Sequence, residues 1–141
     1  MTGIIVTGHG TFGSGISSGV KLIAGEQENY EHVDFLPEDS LDTLSQKLEA
    51  AMERLKDSDS ILILTDIAGG SPFNVSCKLK LSASREMEVA GGISLPVLLE
   101  VCMTRDADST ARQLVDAALD ASKEALVRFE QTQFTDEEYE E

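Results

Sequence analysis

Apolar residues recur along the chain in two alternating patterns, short unbroken runs and longer stretches at helical spacing. Gly3–Thr7 (GIIVT) is a β-branched run stopped by Gly8 and reads as a buried strand. Gly15–Ala24 then places Ile16, Val20 and Ile23 on one helical face, with Gly25 set to end it. Tyr30–Phe35 is a second strand, closed by Pro37. Over Ser40–Lys56, Leu41, Leu44, Leu48, Met52 and Leu55 form one stripe, with Asp39 or Ser40 as the cap. Ser60–Thr65 (SILILT) is apolar on both faces, as a strand inside a parallel sheet must be. Ser71-Pro72 opens a helix to about Leu81, with Ser suited to the cap and Pro to the first turn. A short strand follows at Glu86–Ala90, a short helix from Ser94 to Met103, and a long helix over Asp108–Phe129 carrying Leu114, Ala118, Ala121, Ala125 and Phe129 on one side.

Strands alternating with helices of this length predict right-handed βαβ units and an α/β fold. The expectation is a small doubly wound, mainly parallel four-stranded sheet flanked by helices, for which 2-1-3-4 is one allowed strand order. Gln131–Phe134 allows one further antiparallel edge strand near the C-terminus. Residues 1–130 read as one domain and 131–141 as an acidic tail.

Ligands of such sheets bind beyond the carboxyl ends of the strands, where the strand order reverses. The order 2-1-3-4 puts that point between the first and third strands. The loops there read Gly8-His9-Gly10 and Asp66-Ile67-Ala68-Gly69-Gly70-Ser71-Pro72, with Gly91-Gly92 on the same rim. His9 is an imidazole between two glycines that leave it sterically open. Asp66 suits a hydrogen bond to one ring nitrogen, which fixes the tautomer and frees the other nitrogen as a nucleophile. Either residue also has a bland reading, as a loop histidine and as a turn aspartate. Ser71 reads first as a helix N-cap. Gly69, Gly70 and Ser71, with Gly10 opposite, also suit an anion, because helix starts present unpaired N–H groups and positive potential. His32, inside or beside the second strand, lacks such surroundings and reads as structural or exposed. No Gly-Lys-Ser/Thr loop and no well-placed G-x-G-x-x-G occurs, which disfavours nucleotide. One accessible His and one Asp do not make a metal ligand set, and no cofactor is expected.

Charge narrows the partners. Of 141 residues, 26 are acidic and 11 basic, a formal charge of −15. That excludes the Lys/Arg surfaces that nucleic acids and anionic membranes require and favours protein partners with basic faces. Six of the acids (Glu130, Asp136, Glu137, Glu138, Glu140 and Glu141) crowd into the last 12 residues, so part of the charge belongs to the tail. Neither a basic leader nor a membrane-length apolar stretch is present. Cys77 and Cys102 stand apart as expected reduced thiols, all consistent with a cytoplasmic protein.

Three ordered stretches, IIVTGHGTFGSGI, ILILTDIAGGSPFN and VAGGISLPVLLE, resemble the IIA component of the mannose-type (mannose/fructose/sorbose) sugar phosphotransferase system. The likeness runs to about Phe129. It implies that His9 takes a phosphoryl group from the phosphocarrier HPr and hands it to a cognate EIIB, which serves the membrane EIIC/EIID complex. It implies that Asp66 orients His9 and that Ser71 lies beside the phosphate. It also implies a parallel sheet of order 2-1-3-4 between helices and a homodimer with an exchanged edge strand, for which Gln131–Phe134 is the candidate; the length of 141 residues adds the expectation of a stand-alone unit with its EIIB partner elsewhere. Two other readings stay open. One is a phosphotransfer subunit feeding dihydroxyacetone kinase. The other is a non-covalent flavin- or nucleotide-binding module of flavodoxin-like fold, which an aromatic content of 5% without tryptophan serves poorly.

Overall fold

In a computed structural model, residues 1–131 are described. The elements are β1 (Gly3–His9), α1 (Phe12–Ala24), β2 (Tyr30–Phe35), α2 (Leu41–Arg54), β3 (Ser60–Thr65), α3 (Ser71–Ser82), β4 (Glu86–Gly91), α4 (Leu95–Thr104) and α5 (Ala111–Ser122). The four strands pair in parallel, as their alternation with helices predicted, in the order β2-β1-β3-β4 that the family resemblance implied. Side chains alternate across the sheet and build two cores. Ile4, Val6, Leu62 and Leu64 face α4 and α5 through Leu98, Val101, Leu114 and Ala118. Ile5, Ile61, Ile63 and Met87 face α2 and α3 through Leu44, Leu48 and Val75. By the same parity Ile5, Thr7 and His9 point to the α2/α3 side.

Several boundaries differ from the sequence reading. β1 runs two residues further, to His9, because the edge of β2 continues to pair with it, His9 opposite Phe35. α1 starts at Phe12 instead of Gly15. In α2, Ser40 is the cap, accepting from the Thr43 amide at 3.1 Å, while Asp39 accepts from the Leu36 amide and from Lys47. Leu41 does not join the apolar stripe; it is 55% exposed, because it sits in the first turn, off the sheet. α5 begins after a Thr110–Gln113 capping box and ends at Ser122, seven residues before the expected Phe129. Beyond it the chain makes tighter turns, Lys123 to Asp120, Glu124 to Ala121 and Ala125 to Ser122. Helices draw most of their stability from a packed face, and by Leu126, 99% exposed, that face is gone. The edge strand expected at Gln131–Phe134 lies, apart from Gln131, outside the described residues.

The far end of α2 is closed by a side chain from the loop before β4. The Arg85 guanidinium donates to the carbonyls of Met52 and Leu55 at the helix end and of Ser58 in the loop beyond it, at 2.7–3.1 Å, adding a charged donor to the turns that close α2. Arg85→Ala is expected to cost about 2 kcal/mol, the scale of losing hydrogen bonds from a charged donor. A chemical-denaturation midpoint checks this; an unchanged midpoint would show that water serves those carbonyls equally well.

Candidate functional site

The end of β1 and the loop after β3 meet at the rim of the sheet. Asp66 directs both carboxylate oxygens inward. Oδ2 accepts from the His9 main-chain amide at 3.0 Å and lies 2.8 Å from His9 Nδ1, while Oδ1 accepts from the Ile67 amide at 2.9 Å. Burial pushes the Asp66 carboxyl up, but the hydrogen bonds from the His9 amide, the His9 ring and the Ile67 amide outweigh it and hold the group below the usual carboxylate range. An ionised carboxylate has no proton to share, so the 2.8 Å contact requires the proton on Nδ1. Nε2 of the neutral ring then carries the lone pair. The His9 side chain is 46% exposed, so that nitrogen is open to a visitor. Phe35 meets the ring edge-on, with centroids 6.0 Å apart.

The glycines have distinct tasks. At Gly10 (φ +61°) a Cβ would meet nothing within 4 Å, so the approach is open on that side, although its own amide is committed to the Phe35 carbonyl at 2.7 Å. Gly8 does not open the ring, as its place beside His9 suggested. A Cβ there would come within 2.8 Å of the Asp66 carboxyl carbon and 2.5 Å of the Phe12 ring, so its absence lets the carboxylate reach under His9. At Gly70 a Cβ would fall 2.8 Å from His9 Cε1, which places that edge of the imidazole against the start of α3.

Of the helices that begin on this rim, α1 and α3 follow the two strands that carry the site, and they are capped oppositely. At α1, Thr11 makes no side-chain cap; Asp34 of β2 takes that role, accepting from the Ser14 amide at 2.8 Å and its hydroxyl at 2.7 Å. That carboxylate fills the positive end of α1. At α3 the cap position is Gly70, not Ser71 as expected, and no side chain bonds to the first turn. Ser71 occupies the first helical position and Pro72 the second, with no N–H to satisfy. The amides of Ser71 and Phe73 therefore lie in a turn that no intrahelical acceptor serves, next to His9. Gly69 (φ +84°) makes the tight entry, and the Asn74 side-chain amide pins its carbonyl at 3.0 Å.

His32 is placed apart from this cluster, exposed in mid-β2 beside α1. Among the described residues, no group of three His, Cys, Asp or Glu gathers as metal ligands, and no helix is long and apolar enough to cross a membrane. Cys102 is buried and Cys77 half-buried, and both are free thiols. The tasks of Gly8 and Asp34 were not visible in the sequence; the only hint was that Gly8 and Asp34 end runs whose registers bring them to one rim.

The chain as a whole has known counterparts. The family model described as "PTS system fructose IIA component" matches residues 3–119. Over 123 residues the chain is 34% identical to the PTS system mannose-specific EIIAB component of Escherichia coli; that covers 87% of the chain but 38% of the relative, so the chain spans less than half of that protein's length. It is also 34% identical over 121 residues to the PTS system sorbose-specific EIIA component of Lacticaseibacillus casei, covering 86% of each. Among solved structures, the phosphotransferase system component EIIA from Streptococcus agalactiae superposes with a TM-score of 0.83 at 34% identity, over 91% of this chain and 97% of that one. The match of fold, length and sequence makes this chain a member of the mannose-type EIIA family of the sugar phosphotransferase system.

Proposed function

We propose that the chain is a cytoplasmic phosphocarrier of sugar uptake, which accepts a phosphoryl group from phospho-HPr on His9 and passes it to a cognate EIIB serving the membrane EIIC/EIID complex. The observation that carries this reading is the 2.8 Å contact of His9 Nδ1 with Asp66 beside the uncapped start of α3. The Nε2 lone pair forms the new P–N bond as the donor's bond to phosphorus breaks and its electron pair leaves with the donor. The Nδ1 proton stays in place, and the ring, now cationic, faces the Asp66 carboxylate. Gly69, Gly70 and Ser71 receive the phosphoryl oxygens at the helix start, while Gly10 keeps the approach clear. Little covalent work is asked of the protein beyond the nucleophile; positioning and charge supply the rest. The names of the matched relatives favour sugar uptake over a role in feeding dihydroxyacetone kinase. With a formal charge of −15, docking on a basic partner face should weaken as salt rises.

Reconstitution with phosphoenolpyruvate, enzyme I and HPr tests the reading. Stoichiometric acid-labile phosphate on the chain is expected; no incorporation refutes it.

A homodimer is part of the same proposal. Leu119, Leu126 and Val127 expose large apolar surfaces, and Leu119 also lines a groove of about 110 Å³ between α5 and the end of β4, with Ala90, Gly92 and Ile93. Light scattering should give twice the 15.2 kDa chain mass; a monomer at tens of micromolar overturns this part alone.

A further inference from the structure

The loop that carries Asp66 rests on the end of β4. A Cβ at Gly91 would lie 2.6 Å from the Ala68 nitrogen, 2.7 Å from Ala68 Cα and 2.9 Å from the Ile67 carbonyl carbon. All three are main-chain atoms, so no rotamer change relieves the clash, and the chain itself must move. Gly91 is not among the glycines with positive φ, so the demand is for space and not for an unusual backbone. The same junction is clamped by hydrogen bonds. The amides of Gly92 and Ile93 both donate to the Thr65 carbonyl at 3.0 Å, and the buried Thr65 hydroxyl lies 3.2 Å from the Ile67 carbonyl and 3.3 Å from that of Ala90. Ala68 stands two residues from Asp66 and two from Gly70, the residues that hold the two sides of the His9 ring.

We propose that Gly91 is a positioning residue. By admitting the main chain of Ile67 and Ala68 against the end of β4, it sets the depth at which the Asp66 carboxylate and the start of α3 meet His9. Its kinetic consequence rests on the phosphocarrier reading; its geometric consequence does not.

The test pairs Gly91→Ala with Gly15→Ala, an α1 site where a Cβ meets nothing within 4 Å. Two quantities are measured: the 15N and 1H shifts of the His9 ring at fixed pH, and the steady-state rate with phospho-HPr as donor. Gly91→Ala should move the ring shifts toward those of Asp66→Ala. It should lower kcat about tenfold or more, the scale of a sub-ångström misplacement, with KM for HPr within about twofold. Gly15→Ala should match wild type in both. If Gly91→Ala does not fold, Thr65→Val, which removes only the hydroxyl beneath Ile67, should shift the ring signals the same way by less. Unchanged ring shifts in the folded variant, or in Thr65→Val when it alone folds, overturn the proposal. Shifted ring signals with no phosphorylation even of wild type refute the phosphocarrier reading and leave the positioning role standing.

Discussion

His9→Ala is expected to take up no acid-labile phosphate from phospho-HPr, while His32→Ala is labelled at the wild-type rate. The two residues are the only histidines in the chain. They share a residue type and differ in surroundings. His9, at the end of β1, has its Nδ1 fixed by a carboxylate, its Cε1 against an uncapped helix start and a side chain that is about half exposed. His32 sits exposed in mid-strand with neither neighbour. The loss on His9→Ala should be complete, because nothing else on the rim is a comparable nucleophile. Circular dichroism and the denaturation midpoint should stay near wild type, since a half-exposed side chain at a strand end contributes little to the core. Phosphate that survives the substitution would move the chemistry to another residue.

Asp66→Ala should slow transfer by about a hundredfold or more while leaving the fold intact, because the ring loses its fixed tautomer and its orientation together. Stopped-flow transfer rates measure the first part. Its pH signature is equally specific. The folded carboxyl titrates below its unfolded value of about 3.9, so its contribution to stability is whole above that pH and disappears as pH falls through the folded value. The stability gap between wild type and Asp66→Ala should therefore close progressively as pH falls below about 4. A gap that stays fully open at the acid end of that range would mean that the carboxylate does not gain from its hydrogen bonds. An unfolded variant would make Asp66 a structural residue first.

The strands were legible because β-branched runs that are apolar on both faces have few other uses, and their alternation with helices made the sheet parallel; the order 2-1-3-4 came from the family resemblance and not from the alternation. His9 and Asp66 were legible as a pair because both follow such runs at the reversal point. Helix ends were harder to read. α5 has apolar spacing through Phe129, yet it stops at Ser122, because spacing does not say where the sheet ends. Ser71 has the chemistry of a cap and stands next to proline, but Gly70 takes the cap position, so one residue of register separates a capped helix from an uncapped one. Gly8 reads in the sequence as a flank that leaves the imidazole sterically open. Its real task, clearance for a carboxylate arriving from 58 positions away, belongs to the packing of two loops and leaves no mark in local sequence.

The bare start of α3 has one more consequence. A helix that lacks an acceptor at its first turn frays more readily than one closed by a side chain such as Asp34. Under the proposed reading the phosphoryl group itself becomes the closure, so the cargo finishes the scaffold that holds it. Loaded and empty carrier then differ in the stiffness of an exposed turn as well as in charge. A partner that docks over that turn can sense whether there is anything to collect before any bond is broken.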